Sequence, residues 1–575
     1  MRILLLTHTF NSLTQRFFVE LTERGHEVSV EFDINDAVTV EAVALFRPDL
    51  IIAPYLRRAI PEAVWKHHTC IVIHPGIVGD RGPSALDWAI LEGERRWGVT
   101  ALQANAVMDG GDIWASAEFP MRLAKKSSLY RNEVTEAAVR CLEEVLARFG
   151  DPGFRPTPLD YGDPAVRGRL RPLMRQADRR IDWQRDTTET VLRKIHAADG
   201  NPGVLDRILG REFFLYDAHP EDELRGAPGE LIARRHQAVC RATVEGAVWI
   251  GHLRERPPEG ERSLKLPALT ALGEVAVGLP EAPLAIHEGE GRETYREITY
   301  REEAGVGYLA FEFYNGAMST EQCRRLLEAY RYALTRPTRV LVLLGGRDFW
   351  SNGIHLNIIE QAESPADESW RNINAIDDVA QAIIETDDRI TIAALRGNAG
   401  AGGVFLALAA DRVYAREGVV LNPHYKSMGN LYGSEYWTYL LPRRVGAERA
   451  AALTRGRLPV GARQEREIGL LDDCFGHDVE SFERRVSEIA RQLAADEGYD
   501  AMIAAKRARR AADEAEKPLA AYRAEELEQM KLNFYGFDPS YHVARYHFVY
   551  KVPHSRTPYH LAIHRRLGYR NGEAA

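Results

Sequence analysis

Two groups of residues have the types and spacing that catalysis needs, and the first lies near the N-terminus. His74 ends the apolar run CIVIHP and precedes Pro75-Gly76, so its imidazole is expected at the carboxyl edge of a sheet, where ligands bind. Asp109 lies in the turn MDGGD after a second plausible strand. A carboxylate facing a histidine across a cleft can fix the imidazole tautomer and stabilise a charged transition state. The alternative is that His74 has only a structural role, with its ring hydrogen-bonded at a capped strand end. The residue pattern leaves both interpretations open.

The second group lies in the C-terminal half of the chain. Gly353-Ile354 ends a loop after a strand and Gly402-Gly403 begins an apolar helix, so their backbone N–H groups could bind a thioester carbonyl oxygen. Tyr425 and Glu435 could form a phenol–carboxylate pair in an aromatic pocket. An apolar environment would raise the pKa of the glutamate and favour proton transfer over attack by water. Close packing of helix on sheet, and an aromatic cluster with a solvated Glu435, are the alternative interpretations.

The elements that must position these residues form an α/β pattern. Short apolar strands alternate with amphipathic helices over residues 1–160 and predict a doubly wound parallel sheet. Residues 161–272 contain short alternating strands that predict a small β-barrel module, and residues 273–293 resemble a linker. Residues 294–575 return to the α/β alternation, with one helix predicted over residues 320–334, and end in a helical extension.

Composition limits the classes of function. Lys and Arg number 74 against 83 Asp and Glu, a net charge of −9, which argues against a nucleic-acid partner. The five cysteines are widely spaced and the tail histidines form no compact ligand set apart from His560 and His564, so we expect no metal site. The longest apolar runs are shorter than the about 20 residues of a membrane span, and we expect a cytoplasmic protein without a membrane segment.

The motifs of roughly the first 260 residues are similar to those of the folate-dependent formyltransferases. They are, in order, H-x-G, R-G-P-S, G-V-T and M-D-G-G-D. The resemblance implies N10-formyltetrahydrofolate as formyl donor and a catalytic trio of Asn, His and Asp. His74 and Asp109 match two members, but Val72 stands where the Asn is expected. A donor that would polarise the formyl oxygen is therefore missing.

Residues of about 306–473 resemble the crotonase (enoyl-CoA hydratase/isomerase) family. The segments that carry the resemblance are VGYLAFEFYNGAMS, RGNAGAGGVFLALAAD and LLPRRVGAERAAAL. It implies N–H donors at Ile354 and Gly402 and a coenzyme A thioester as ligand. Enoyl-CoA hydratases carry a catalytic Glu where this chain has Phe405. Because hydration needs two carboxylates, we expect no hydratase activity.

The two resemblances in one chain, together with the tail YHVARYHFVYKVP, resemble the HypX (HoxX) family of hydrogenase maturation factors. That resemblance implies formyl transfer from N10-formyltetrahydrofolate to coenzyme A, then decarbonylation of formyl-CoA to carbon monoxide and coenzyme A. The carbon monoxide would serve the iron of a nickel–iron hydrogenase, with hydrogenase maturation proteins or the large-subunit precursor as possible partners. A non-catalytic folate- and coenzyme A-binding scaffold and a formyl-CoA hydrolase are the alternatives.

Coenzyme A is anionic and requires Lys and Arg as ligands. The candidate residues for binding coenzyme A or folate are Gln15, Arg81, Arg131, Arg455, Arg545 and Lys551. Of these, the family resemblance favours Arg131 and Arg455.

Overall fold

The computed structural model describes residues 1–566, which divide into two compact units. The first unit comprises residues 1–283, 292–295 and the described C-terminal segment from residue 553, and the second comprises residues 284–291 and 296–552. The C-terminal segment therefore belongs to the same unit as the N-terminus.

The first unit contains an open sheet with helices, followed by an antiparallel module. Its elements are β1 (Arg2–Thr7), α1 (Ser12–Glu23), β2 (Glu27–Phe32), α2 (Asp36–Phe46), β3 (Leu50–Tyr55), α3 (Glu62–Trp65), β4 (Cys70–His74), α4 (Ala85–Leu91), β5 (Arg96–Gln103), β6 (Ile113–Pro120), α5 (Lys126–Leu129), α6 (Thr135–Phe149), α7 (Thr188–Ala198), β7 (Val204–Ile208), β8 (Arg211–Glu221), β9 (Leu231–Arg235), β10 (Ala238–Ala242), β11 (Ala247–Glu255), β12 (Lys265–Pro267) and α8 (Ala268–Leu272).

The N-terminal sheet has the strand order β2-β1-β3-β4-β5-β6. The first four strands along this order are parallel, and β4, β5 and β6 pair antiparallel. The parallel strands are nearly continuous apolar runs because helices cover both faces of such a sheet. This arrangement confirms the predicted α/β fold. It places His74 at the end of β4 and Asp109 in the loop between β5 and β6.

An antiparallel sheet of six strands lies where the small β-barrel module is predicted. Its order is β7-β8-β11-β10-β9, with β12 paired to β11. Its core packs α7 and α8 against the sheet through buried residues such as Ile195, Leu215 and Ala268.

The C-terminal segment packs against β2, the edge strand of the N-terminal sheet. The N–H of Val30 donates to the carbonyl of Leu561 at 3.1 Å, and the N–H of Phe32 donates to Thr557 Oγ1 at 2.8 Å. Glu31, which is fully buried, accepts hydrogen bonds from Thr557, His564 and Arg565. The segment thereby satisfies polar groups that an edge strand would otherwise expose.

The second unit is a layered α/β body with a helical extension. Its elements are β13 (Ile298–Glu303), β14 (Val306–Phe311), α9 (Thr320–Leu334), β15 (Val340–Leu344), β16 (Phe349–Ser351), α10 (Leu356–Gln361), α11 (Pro365–Glu385), β17 (Ile390–Leu395), β18 (Asn398–Gly400), α12 (Gly402–Leu408), β19 (Arg412–Arg416), β20 (Val420–Asn422), α13 (Trp437–Val445), α14 (Ala447–Gly456), β21 (Val460–Gly461), α15 (Ala462–Glu467), β22 (Asp473–Phe475), α16 (Val479–Ala495), α17 (Tyr499–Glu516), α18 (Leu519–Tyr535) and α19 (Ser540–Val549).

Two sheets organise this unit. One has the order β13-β14-β15-β17-β19-β22, in which β13 is antiparallel and the rest are parallel, and the other has the order β16-β18-β20-β21. Helices α9 and α11 pack against one face of the larger sheet, and α16 packs against the other. Helix α18 packs on α11 and brings part of the helical extension to the region that follows β20. None of the helices in residues 1–566 combines the length and apolar character that a membrane crossing needs.

Candidate functional sites

The first site is built around the imidazole of His74, which is buried at the end of β4. Its Nε2 lies 3.0 Å from Asp80 Oδ1, and its Nδ1 lies 3.7 Å from Asp109 Oδ1. The other oxygen of Asp109 accepts the N–H of Gly82 at 3.1 Å. Asp109 has a left-handed backbone (φ 53°), which Asp tolerates better than most residues. The histidine thus lies between two carboxylates, one in contact and one across a short gap.

The position expected to hold an Asn carries no polar side chain. Val72 lies in the middle of β4, half-buried, and packs against an apolar cluster that includes Ile51, Ala53 and Cys70. The side chain at this position can therefore donate no hydrogen bond to a formyl oxygen.

The second site contains Tyr425 and Glu435 in direct contact. The Tyr425 hydroxyl donates to Glu435 Oε2 at 2.5 Å and lies 2.9 Å from the carbonyl oxygen of Ser434. Burial, reinforced by the charge of Asp377, raises the pKa of Glu435 to about 8. Burial, the charge of Glu435 and this hydrogen bond raise the pKa of Tyr425 well above its usual value, so the phenol stays protonated. Such a carboxyl can both accept and donate a proton near neutral pH.

Two buried carboxylates hold the backbone that carries Glu435. Glu435 and Tyr436 both have left-handed backbones (φ 57° and 59°), a strained conformation for residues with large side chains. Asp377 on α11 accepts the N–H of Glu435 at 2.8 Å, and Glu526 on α18 accepts the N–H of Tyr436 at 2.9 Å and that of Thr438 at 2.8 Å. Burial raises the pKa of Asp377 to about 6 and that of Glu526 to about 8. Helix α18 is therefore part of the site.

The carboxyl group of Glu435 lies directly against Gly402, the first residue of α12. A Cβ atom added at Gly402 would lie 1.9 Å from Glu435 Oε1, so only glycine fits here. The N–H of Gly402 has no acceptor within its own helix because it lies in the first turn. The carbonyl of Gly353 accepts the N–H of Met318. In a planar trans peptide the C=O and the N–H point in opposite directions, so the N–H of Ile354, which shares a peptide with that carbonyl, faces away from Met318. Both are consistent with the expected carbonyl-binding donors.

Aromatic side chains form the wall of this site. Phe405, fully buried on α12, stacks on Tyr425 with ring centroids 5.3 Å apart and an angle of 21°. Trp437 lies 6.4 Å from Phe405 and 5.4 Å from Tyr432 by the same measure. A side chain at Gly433 would collide with the Tyr425 ring, since its Cβ would come within 2.0 Å. Aromatic rings form one side of the environment of Glu435, and Glu435 is buried rather than solvated.

The predicted ligand residues of the first unit differ in their surroundings. Gln15 lies on α1 and donates through Nε2 to the carbonyl of Phe10 at 3.0 Å. Arg81 donates through Nε to the carbonyl of Met108 at 3.1 Å, which ties it to the loop of Asp109. Arg131 lies half-buried in a π-helical turn between α5 and α6.

The predicted ligand residues of the second unit lie on or after two different helices, α14 and α19. Arg455 is exposed near the end of α14, and Lys551 is exposed after α19. Arg545 is buried on α19 and forms an ion pair with Glu360 at 2.7 Å. All six assignments remain predictions.

Sequence reasoning missed three buried carboxylates. Asp80 lies beside Arg81 in the segment GDRGPS, which contains the R-G-P-S motif, so its place next to a motif could have marked it as a candidate site residue. Asp377 and Glu526 lie in ordinary-looking helices, 58 and 91 residues from Glu435, and no local pattern sets them apart. Only tertiary packing brings these two to the site.

Comparison with known proteins identifies the parts of the chain. Residues 26–146 match the family model "Formyl transferase", residues 173–264 match "Formyl transferase, C-terminal domain", and residues 301–537 match "Enoyl-CoA hydratase/isomerase". The methionyl-tRNA formyltransferase of Ralstonia nicotianae is 27% identical over 253 residues, which is 43% of this chain and 73% of the relative. The sequence-based resemblances to both families are confirmed.

Other relatives match nearly the whole chain. The hydrogenase maturation factor HoxX of Bradyrhizobium diazoefficiens is 58% identical over 565 residues, 98% of this chain and 97% of the relative. The crystal structure of HypX from Aquifex aeolicus in complex with tetrahydrofolic acid is 54% identical, covers 99% of this chain and 100% of that chain, and superposes with a TM-score of 0.96. The chain therefore belongs to the HypX (HoxX) family of hydrogenase maturation factors.

Proposed function

We propose that the protein makes carbon monoxide for the maturation of a nickel–iron hydrogenase. The first unit transfers the formyl group of N10-formyltetrahydrofolate to the thiol of coenzyme A, and the second unit splits formyl-CoA into carbon monoxide and coenzyme A. The observation that carries the proposal is the buried contact of 2.5 Å between the Tyr425 hydroxyl and Glu435 beside Gly402.

The proposed first step uses His74 and Asp109. The thiol of coenzyme A attacks the formyl carbon, the carbon–nitrogen bond of the folate breaks, and the thiol proton passes to the departing nitrogen. His74 lies at the end of a sheet strand, where a doubly wound sheet binds its ligands, with Asp109 Oδ1 3.7 Å from its Nδ1. Gln15, Arg81 and Arg131 are the proposed polar contacts of this unit.

The proposed second step is a proton transfer within formyl-CoA. The formyl C–H proton passes to Glu435, the electron pair of that bond stays on carbon, and the carbon–sulfur bond breaks to release carbon monoxide and a thiolate. Glu435, whose pKa is about 8, then returns the proton to sulfur. Tyr425 stabilises the ionised glutamate by its hydrogen bond, and the N–H groups of Ile354 and Gly402 hold the carbonyl oxygen.

The proposed second site favours decarbonylation over water attack. Phe405 replaces a carboxylate that a hydratase uses to position water, and its ring covers Tyr425. Water reaching the formyl carbon would give formate, so an apolar wall protects the reaction.

Further assignments belong to the same proposal. Residues 1–160 form the folate-binding domain, residues 161–272 the formyltransferase C-terminal-like module and residues 273–293 the linker. Residues 294–575 form the coenzyme A-binding domain with an extension, whose last segment, from residue 553, belongs to the first compact unit. Arg455, Arg545 and Lys551 are the proposed coenzyme A ligands of the second unit. The protein acts in the cytoplasm, on small-molecule substrates, and delivers its product to hydrogenase maturation proteins or the large-subunit precursor.

The test is incubation of the purified protein with N10-formyltetrahydrofolate and coenzyme A, with carbon monoxide detected by a haem reporter. Carbon monoxide together with tetrahydrofolate supports the proposal. Formate without carbon monoxide indicates a formyl-CoA hydrolase, and binding without turnover indicates a scaffold. Either of these results overturns the proposal.

Two substitutions separate the steps. Tyr425→Phe and Glu435→Gln preserve shape and should abolish carbon monoxide release, while formyl transfer continues and formyl-CoA or formate accumulates. Tyr535→Phe is the matched control because it removes an exposed phenol–carboxylate hydrogen bond of 2.7 Å to Asp367 elsewhere in the second unit. Carbon monoxide release at the wild-type rate by both site variants would show that the pair only packs.

A further inference from the structure

The carboxylate in direct contact with His74 is Asp80, not Asp109. Asp80 Oδ1 lies 3.0 Å from Nε2 of the ring, and both side chains are buried, with exposed fractions of 0% and 5%. A carboxylate can only accept a hydrogen bond, so the ring nitrogen facing it must carry the proton. The neutral imidazole then has its hydrogen on Nε2 and a lone pair on Nδ1.

Two neighbours make this contact specific. A Cβ atom at Gly76 would lie 2.4 Å from His74 Nε2 and 2.7 Å from Asp80 Oδ1, so the pair can form only where residue 76 is glycine. The second oxygen of Asp80 lies 3.2 Å from Nε of Arg171, whose guanidinium packs over the Trp97 ring at 5.4 Å. The guanidinium thus forms an ion pair with the second oxygen of Asp80, and the first oxygen faces the histidine.

The free nitrogen of the ring faces the other carboxylate across a gap. The separation of 3.7 Å between Nδ1 and Asp109 Oδ1 is too long for a hydrogen bond. A proton-bearing group of a substrate would meet a lone pair on one side and a carboxylate on the other. Because Val72 stands where an Asn amide is expected, we regard the basic nitrogen Nδ1 of His74 as the main catalytic group of this site.

We propose that Asp80 is a positioning residue that fixes the His74 tautomer, and that His74 Nδ1 accepts the proton of the attacking thiol. This inference rests on the proposed formyl transfer to coenzyme A. Sulfur bonds to the formyl carbon as its proton moves to Nδ1. The bond from that carbon to the folate nitrogen then breaks, and the nitrogen takes the proton back from the imidazolium. Atoms and charge balance without an oxidant or reductant.

Asp80→Asn tests the role of the carboxylate. The amide oxygen must face Arg171, which only donates, so the amide NH₂ faces His74 Nε2 and donates to it. The imidazole proton is thereby forced onto Nδ1, and formyl transfer should fall by about a thousandfold or more, as when a catalytic histidine is held in the wrong tautomer. Asp151→Asn, an exposed change in the loop after α6, is the matched control and should transfer at the wild-type rate.

The tautomer itself is measured by ¹⁵N NMR of histidine-labelled protein, with His74 identified by its loss from the spectrum of His74→Gln. We expect hydrogen on Nε2 in the wild type, which tests the proposal even where Asp80→Asn does not fold, and hydrogen on Nδ1 in Asp80→Asn. A wild-type His74 with its hydrogen on Nδ1, or a folded Asp80→Asn with the wild-type transfer rate, overturns the role of Asp80. Failure of wild-type protein to form formyl-CoA instead overturns the proposed function, whatever the tautomer.

Discussion

Substitution of Gly402 by Ala tests the geometry of the second site without touching either proton-transfer residue. The new Cβ would lie 1.9 Å from Glu435 Oε1 and 2.8 Å from Oε2, where ordinary contact begins at 3.4 Å. The carboxyl group must therefore retreat by about 1.5 Å, which removes it from the 2.5 Å contact with Tyr425. Misplacement by about 1 Å costs on the order of a hundredfold in rate, so we expect at least that loss in decarbonylation. The N–H of residue 402 remains, so carbonyl binding by the backbone is retained.

The assay supplies formyl-CoA directly and follows carbon monoxide with a haem reporter, while formyl transfer is followed separately as tetrahydrofolate release. Gly456→Ala is the matched control because a Cβ there meets nothing within 4 Å. We expect Gly402→Ala to lose carbon monoxide release, to keep formyl transfer, and to unfold at a temperature near that of the control. Decarbonylation by Gly402→Ala at the control rate would refute the assignment of Glu435 as the proton acceptor.

Three further changes test the remaining parts of the argument. Asp109→Asn keeps a residue that tolerates the left-handed backbone and should reduce tetrahydrofolate release about a hundredfold; an unchanged rate would remove Asp109 from the mechanism. Burial raises the pKa of Glu526 to about 8, so its stabilising effect is complete below pH 4.5 and lost as pH rises through 8. Glu526→Gln should therefore flatten the decline in urea stability between pH 4.5 and 8, a slope of up to about 1.4 kcal/mol per pH unit, and an unchanged slope would contradict the shift. Burial alone would raise the pKa of Glu31, but hydrogen bonds from His564, Thr557 and Arg565 outweigh it and lower that pKa. The ionised Glu31 therefore stabilises the fold above pH 4.5, and this stabilisation is lost as pH falls through the lowered pKa. Glu31→Gln should speed proteolysis of the C-terminal segment at pH 7, with a smaller difference from wild type at lower pH. Equal cleavage at pH 7 would show that the hydrogen bonds to Glu31 do not hold the segment.

The regular elements were accessible from sequence because their apolar periodicity is local. The helix predicted over residues 320–334 is observed as Thr320–Leu334, where a Ser319 capping box fixes its start. The apolar run CIVIHP, in which His74 is expected at a strand end, is observed as the strand Cys70–His74. Patterns of this kind depend on neighbours a few residues apart, and they transfer directly to the structure.

The candidate sites could be predicted only in part. His74 and Asp109 were recognisable because His74 ends one apolar strand and Asp109 lies in a glycine-rich turn after another. Because β4 and β5 are antiparallel and end at opposite edges of the sheet, only the path of the loop after β5 brings Asp109 back to His74. The contact between Tyr425 and Glu435 was also predictable, since both lie in one loop and an aromatic environment was visible in the sequence. The partners that control them were not predictable, because Asp377 and similar residues come from distant helices and have no distinctive neighbours.

The second site brings three acidic side chains together in a buried network. Asp377, Glu435 and Glu526 lie within a network joined by Ser434, whose hydroxyl is 2.8 Å from Asp377 Oδ2 and 3.4 Å from Glu526 Oε2. One hydroxyl has one proton and cannot donate to both carboxylates at once, so a proton is best held on one of them. The network therefore retains protons at pH values where isolated carboxyls have lost theirs, in agreement with the raised pKa of all three. A buried network that holds a proton in this way supports the proposed transfer of one proton from carbon to sulfur.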